Sequence, residues 1–109
     1  MGRALETVCG PVDGSQIGKT LVHEHFVCGF PGFQADSTLG PYDPDEALRV
    51  GVETANRAKR HGVTTVVDAT ANDCGRDPVL LRRIAEAAGI HIVVSTGYYF
   101  EGQGSPAYF

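Results

Sequence analysis

Residues 18–26 read GKTLVHEHF, and the interpretation of the whole chain starts from this stretch. A β-strand is predicted from Thr20 to His25, because a short apolar run leads into the two histidines. Side chains alternate between the two faces of an extended strand, so His23 and His25 are expected to point the same way. Two such imidazoles can bind one metal ion, although the spacing also fits two partly exposed polar positions.

The composition of the 109-residue chain is that of a folded domain. Hydrophobic residues make up 42% and charged residues 20%, which is typical of soluble globular proteins. The formal net charge is -4, and the sequence contains no basic patch. Because the phosphate backbone of nucleic acids is bound mainly by clustered Lys and Arg, we expect no nucleic-acid partner.

Three cysteines, Cys9, Cys28 and Cys74, form no C-x-x-C pair, and their odd number leaves at least one free thiol. We interpret each as a buried, small hydrophobic residue in a protein of a reducing compartment. Residues 1–10 contain no recognisable leader, and no apolar run approaches the roughly 18 residues that a membrane span requires. The expected location is therefore cytoplasmic, with no membrane partner.

A hairpin and two further strands are predicted around the first strand. Two short runs between Ala4 and Ile17 flank a turn placed at residues 10–14, which predicts an N-terminal β-hairpin. The runs Val63 to Asp68 and Ile90 to Thr96 predict the second and third strands. Residues 26–42 form a long loop with three Phe, and such loops are uncommon unless they cover a site.

Two amphipathic helices are predicted between these strands. Asp43-Pro44 begins the first helix, which should reach about His61, and Glu46 is expected to hydrogen-bond back to the cap. Asp77-Pro78 begins the second helix, which should end at Gly89. Apolar strands alternating with such helices indicate an α/β fold with a parallel sheet. Three parallel strands fit both an open doubly wound sheet and a barrel.

Five motifs follow one another along the chain, namely GKTLVHEHF at 18–26, TTVVDAT at 64–70, GRD at 75–77, GI at 89–90 and STGYY at 95–99. Their order and approximate spacing resemble those of the phosphotriesterase-like family in the amidohydrolase superfamily. The resemblance implies a (β/α)8 TIM barrel, of which about the first three strands and two helices are present. Residues 1–18 would form the hairpin and residues 19–109 the opening part of a single hydrolase barrel domain.

The resemblance also implies a metal-dependent hydrolase that holds two divalent metals, commonly zinc, at the carboxyl ends of its strands. His23 and His25 would bind one metal, and the family's carbamylated Lys, two further His and Asp have no assigned counterpart in residues 1–109. A metal-bridging hydroxide would attack a small-molecule phosphotriester, lactone or related ester. No catalytic residue is assigned in this segment. Tyr99 matches an aromatic that contacts substrate in the family, and packing against Phe100 or Tyr98 explains it equally well.

Other titratable residues are expected to be structural. Asp68 ends the second strand, where a hydrogen bond to a neighbouring loop is favoured over a role in orienting a metal-bound imidazole. Glu24 should face the helix layer, where it needs either exposure or a nearby Arg. His61 lies in the last turn of the first helix and His91 at the far end of the barrel, so both are excluded as ligands.

Three interpretations stay open. The first is the N-terminal part of a phosphotriesterase or lactonase; with its other ligands beyond Phe109, the segment alone should be inactive and prone to association through open strand edges. The second is a truncated, non-catalytic remnant of such a barrel. The third is a related amidohydrolase acting on amides. The sequence does not choose among phosphotriester, lactone and amide substrates. We also expect that the complete protein is a homodimer.

Overall fold

The computed structural model describes residues 2–35, 38 and 41–99. The start of the loop predicted after the third strand is described as far as Tyr99, and the predicted contact with Phe100 lies outside the described residues. A two-stranded antiparallel sheet, a three-stranded parallel sheet and two α-helices make up the described part. The predicted α/β fold with an N-terminal hairpin is confirmed.

The hairpin consists of β1 (Ala4–Thr7) and β2 (Gly10–Asp13), which pair antiparallel. Its turn lies at Val8-Cys9, so the prediction of a turn at residues 10–14 is wrong. The Gly10 backbone has a φ of 105°, which glycine adopts without steric cost. Gly10 is the first residue of β2 and directly follows the turn. A prediction based on where glycine occurs therefore placed the turn too late in the chain.

The parallel sheet contains β3 (Lys19–Glu24), β4 (Val63–Asp68) and β5 (His91–Val94), in that spatial order. β4 has the predicted bounds, whereas β3 ends one residue before the predicted end and β5 is shorter than predicted. The β-branched β4 lies in the centre because both of its edges are paired. The carboxyl ends of all three strands therefore meet at one edge of the sheet.

The helices are α1 (Pro44–Arg60) and α2 (Pro78–Ala88), and both begin after the predicted caps. The Asp43 carboxylate accepts hydrogen bonds from the first turn of α1, and the Asp77 carboxylate accepts one from the first turn of α2. Glu46 was expected to bond back to the cap, and this is wrong because its carboxylate pairs with Arg49 instead. An exposed acid with a guanidinium one turn away gains more from that ion pair.

The core lies between the sheet and the two helices. Val66 and Ile92 from the sheet pack with Leu81 and Ile84 of α2. α1 approaches this core through Gly51, where an added Cβ would lie 2.4 Å from the Ile84 Cδ1 atom. Small residues on α1 thus bring the two helices into close contact. Within the described residues, neither helix combines the length and apolar character that crossing a bilayer requires.

Candidate metal centre

The two histidines of the opening strand lie side by side at the carboxyl edge of the sheet. His23 is in β3, and His25 follows its last residue. The centroids of the two imidazole rings are 5.3 Å apart, with the ring planes at 72°. Both rings line one open pocket of about 480 Å³. The rings therefore face a common space, as alternation along the strand predicted.

A β-bulge in β3 lies next to the two histidines. Leu21 pairs with Val66 and Glu24 with Asp68, so three steps along β3 match two steps along β4. Leu21 and Glu24 consequently line the same groove beside α1, although strict alternation would separate them. The prediction that Glu24 faces the helix layer is consistent with this placement, and its side chain is exposed there.

The His25 ring contacts the side chain of Thr70, which lies just after the end of β4. Its Nδ1 atom lies 2.8 Å from the hydroxyl oxygen of Thr70, a side chain that is 1% exposed. Thr70 is in turn fixed by Asp68, whose carboxylate accepts a hydrogen bond of 2.9 Å from the Thr70 backbone N–H. Asp68 itself binds backbone groups of two loops, which is the structural role favoured from the sequence. It connects to His25 through Thr70 and through the backbone of Phe26.

The pocket in front of the histidines is lined mainly by apolar and aromatic side chains. Tyr99 contributes to its wall from the segment after β5, and Phe30 contributes from the loop after β3. The backbone N–H of Tyr99 donates a hydrogen bond of 2.8 Å to the buried carboxylate of Asp73. Arg76 also holds the segment after β5 in place, because its Nη1 atom donates a hydrogen bond of 3.0 Å to the Ser95 carbonyl. The placement of Tyr99 is compatible with substrate contact, which stays a prediction.

Two thiols reach this pocket, from Cys28 and from Cys74. Burial, assisted by the charge of Asp68, raises the pKa of the Cys28 thiol. Burial, assisted by the charge of Asp73, likewise raises the pKa of Cys74. Raised values keep both sulfurs protonated near neutral pH, which disfavours nucleophilic attack and metal binding. Cys9 is exposed, so the expectation that every cysteine is buried is wrong for Cys9 and for Cys28.

The histidine pair fits a divalent metal by its geometry. Two imidazoles bound to one ion at about 2.0 to 2.1 Å and at a tetrahedral angle have centroids about 5 Å apart. The observed separation of 5.3 Å is compatible with that value. Within residues 2–35, 38 and 41–99, no group of three or more His, Cys, Asp or Glu is placed to hold a metal. The described residues therefore bring together two candidate ligands, which is fewer than a zinc site takes.

His61 and His91, excluded as ligands from the sequence, lie away from this edge. His61 caps the end of α1, and His91 is the first residue of β5, paired with Thr65. Both positions are at the amino ends of the strands, opposite the pocket. Sequence reasoning missed Thr70, Asp73 and Arg76, which hold the pocket residues in place. The signal available was polar side chains directly following a buried strand, where loops carry functional groups.

The three strands run parallel, each is joined to the next through a helix, and a pocket lies at their carboxyl ends, which is the repeating arrangement of a (β/α)8 barrel and also of an open doubly wound sheet. Residues 3–107 match the phosphotriesterase family. The chain belongs to the phosphotriesterase family. This agrees with the resemblance carried by the five sequence motifs.

Individual relatives support the same family and the same fold. The chain is 30% identical to N-acetyltaurine hydrolase from Salmo salar, covering 94% of this chain and 37% of the relative. It is 35% identical to aryldialkylphosphatase from Saccharolobus solfataricus, covering 81% and 28%. A crystal structure of a substituted phosphotriesterase-like lactonase from Deinococcus radiodurans is 48% identical with a TM-score of 0.88, covering 94% and 32%.

The chain thus spans roughly a third of the length of the proteins that it matches. The structural match confirms the predicted partial (β/α)8 barrel, in which β3, β4 and β5 correspond to its opening strands. The relatives are named as hydrolases of different bonds. Membership of the family is therefore established for this chain, and the substrate is a separate question.

Proposed function

We propose that this chain forms the opening part of a metal-dependent hydrolase barrel of the phosphotriesterase and lactonase type. His23 and His25 bind one of two divalent metals, which we take to be zinc. The observation that carries the proposal is the 5.3 Å separation of the two rings, which face one pocket at the carboxyl ends of parallel strands. This is the edge at which barrels of this class place their active sites.

The residues of the chain have separable tasks in this proposal. When bound, the metals supply Lewis acidity toward the scissile group and an activated water. His23 and His25 hold one metal through neutral imidazole nitrogens, a ligand type that suits zinc. Phe30 and Tyr99 provide apolar surface in the pocket, against which the organic groups of a substrate pack. The remaining ligands come from residues outside the described part.

Small-molecule esters, lactones and phosphotriesters are the substrates that we favour. The 48% identity to a phosphotriesterase-like lactonase supports a lactone, and the 35% identity to an aryldialkylphosphatase supports a phosphotriester. Amide hydrolysis is the second candidate, because a relative of 30% identity is named for hydrolysis of N-acetyltaurine, an N-acyl compound. A cytoplasmic location and a homodimer accompany the proposal as further predictions.

The metal ligands are tested with two double variants in the protein expressed from its whole reading frame. His23→Ala with His25→Ala removes both proposed ligands, whereas His61→Ala with His91→Ala removes two histidines at the opposite end of the strands. Zinc per protein molecule and hydrolysis of a lactone, a phosphotriester and an N-acyl amine are measured for each. The first variant should lose metal and all activity, and the second should keep both.

The outcomes separate the alternatives. Unchanged metal content in the His23/His25 variant would overturn the proposed ligands. An unmodified protein that binds no zinc and hydrolyses none of the three compounds would support the non-catalytic remnant. Tyr99→Ala tests the pocket wall, with Tyr98→Ala as its control because Tyr98 does not line the pocket. A change in preference among the three compounds is expected for Tyr99→Ala only, and an unchanged profile removes Tyr99 from the site.

A further inference from the structure

We propose that Thr70 is a positioning residue that selects the tautomer of His25. Its hydroxyl oxygen accepts a hydrogen bond from the Nδ1–H group of His25, which leaves the lone pair on Nε2 for a metal in the pocket. The metal-binding consequence rests on the proposed function, whereas the tautomer itself does not. Thr70 therefore links the end of β4 to the chemistry of a ligand that follows β3.

The proposed direction of the hydrogen bond rests on the two partners of the Thr70 hydroxyl. The hydroxyl oxygen lies 2.8 Å from His25 Nδ1 and 3.4 Å from the carbonyl oxygen of Val27. A carbonyl oxygen only accepts, and a threonine hydroxyl carries a single hydrogen. When that hydrogen is directed to Val27, the shorter contact is made by an Nδ1–H group donating to the hydroxyl oxygen. A neutral His25 then has its second nitrogen unprotonated.

Thr70 is built to hold this position. Its side chain is 1% exposed. Its backbone N–H donates to Asp68 Oδ1 at 2.9 Å, and its carbonyl accepts a hydrogen bond of 2.7 Å from the Ser95 hydroxyl. Asp68 ends β4 and Ser95 follows β5, so hydrogen bonds to the ends of two strands fix the backbone that carries the hydroxyl. A fixed acceptor behind an exposed imidazole restrains the rotation of its ring.

This restraint matters because His25 has little other burial. The side chain is exposed, and its Nδ1 contact to Thr70 is the polar contact that orients the ring. Histidines that bind metals usually donate their other ring N–H to a neighbouring acceptor, which sets both tautomer and orientation. Loss of such a partner weakens metal binding by about 10- to 100-fold. Thr70 occupies the place of that acceptor.

The tautomer is tested by long-range proton–nitrogen NMR on the metal-free protein, in spectra whose ring-nitrogen shifts are those of a neutral imidazole. Four proteins are compared, namely the unmodified protein, Thr70→Val, Thr70→Ser and Thr65→Val. Thr70→Val keeps the shape and loses the hydroxyl, and Thr70→Ser keeps the hydroxyl. Thr65→Val is the matched control. Thr65 lies in β4 and is fully buried, as Thr70 is. Its hydroxyl donates a hydrogen bond of 2.6 Å to the Ile17 carbonyl and not to His25.

His25 should carry its proton on Nδ1 in the unmodified protein, in Thr70→Ser and in Thr65→Val, and should shift toward the Nε2–H tautomer in Thr70→Val. An Nε2–H tautomer in the unmodified protein overturns the proposal, even if Thr70→Val does not fold. So does a folded Thr70→Val protein whose His25 tautomer is unchanged.

Zinc titration should then show about 10- to 100-fold weaker binding for Thr70→Val alone. An unmodified protein that carries the Nδ1–H tautomer and binds no zinc would refute the proposed function and leave the tautomer assignment standing.

Discussion

The Asp68 carboxylate accepts a hydrogen bond of 3.0 Å from the backbone N–H of Phe26, joining the end of β4 to the residue that follows His25. The same carboxylate accepts from the backbone N–H of Thr70 at 2.9 Å. One buried acid thus fixes the loop that carries His25 and the loop that carries its hydroxyl partner. The position of the histidine pair relative to the sheet depends on this carboxylate.

Replacing Asp68 should therefore destabilise the protein strongly. Asp68→Ala leaves two backbone N–H groups without their acceptor, and each such loss costs about 1 to 3 kcal/mol. We expect the free energy of unfolding in urea to fall by about 2 to 4 kcal/mol, and by roughly half as much in Asp68→Asn, which keeps one oxygen. Asp45→Ala, an exposed acid in the first turn of α1, should cost under about 1 kcal/mol. Equal losses for the two alanine variants would contradict the bridging role.

The close approach of the two helices predicts an unusual response at Gly51. An added Cβ would meet Ile84 Cδ1 at 2.4 Å, so Gly51→Ala introduces an overlap costing about 1 to 3 kcal/mol, reduced by about 1 kcal/mol of helix propensity. Ile84→Val removes the nearest carbon. In that background the effect of Gly51→Ala on unfolding free energy should be smaller, and the Cγ carbon that valine keeps, at 3.0 Å in the isoleucine, accounts for what remains. A loss of equal size in both backgrounds, measured by a double-mutant cycle, would refute this contact as its cause.

Arg76 should matter through its geometry as well as its charge. Its guanidinium donates to the Ser95 carbonyl at 3.0 Å and to the Asn72 side chain at 3.3 Å, which holds two loops at the edge of the pocket. Arg76→Lys has one ammonium where two separated donors are needed, so we expect a loss of about 1 to 2 kcal/mol in unfolding free energy. Arg82→Lys, at an exposed ion pair with Glu86, should change it by under about 0.5 kcal/mol. Similar values for both would exclude a bridging contribution.

The cysteines should differ in reactivity and in their effect on stability with pH. Cys9 and Cys28 are exposed and Cys74 is buried, and the pKa values of Cys28 and Cys74 are raised by desolvation, so a disulfide reagent at pH 8 should modify Cys9 first and Cys74 last. Cys9→Ser should abolish the fast phase. If Cys74 reacts as fast as Cys9 in the folded protein, the burial of its sulfur is refuted.

The raised pKa of Cys74 also sets the sign of its contribution to stability. Its folded value lies above the ordinary thiol value of 9.0, so its contribution is fully present below pH 9.0 and is lost as pH rises through the folded value. Unfolding experiments above pH 9.0 should show a decline in stability that is smaller in Cys74→Ala. An identical decline in both proteins would assign it to other groups.

Local sequence signals were sufficient for the helices and for the central strand. Asp-Pro pairs at Asp43 and Asp77 determine where the helices begin, because a carboxylate can cap and proline suits the first turn. β4 was predicted at its observed bounds because β-branched residues fill both faces of a central strand. The hairpin turn and the Glu46 contact were predicted wrongly, since each had two locally acceptable alternatives.

Within the candidate site, too, one feature of the histidine pair could be predicted from the sequence and another could not. Alternation along a strand predicted that His23 and His25 share a face, and that inference needs only the backbone. It did not reveal the bulge that places Leu21 and Glu24 together, because a bulge depends on how β3 registers against β4. Thr70 lies 45 positions from His25, and no pattern in the chain links them.

The sequence therefore determined the order of strands and helices, the caps and the spacing of the two imidazoles, all of which depend on neighbouring residues. Only the tertiary structure decided which groups meet at the carboxyl edge, namely Asp68 with the backbone of Phe26, Thr70 with His25, and Asp73 with Tyr99. These contacts join segments distant in sequence, and they form only because parallel strands bring their ends to one side of the sheet.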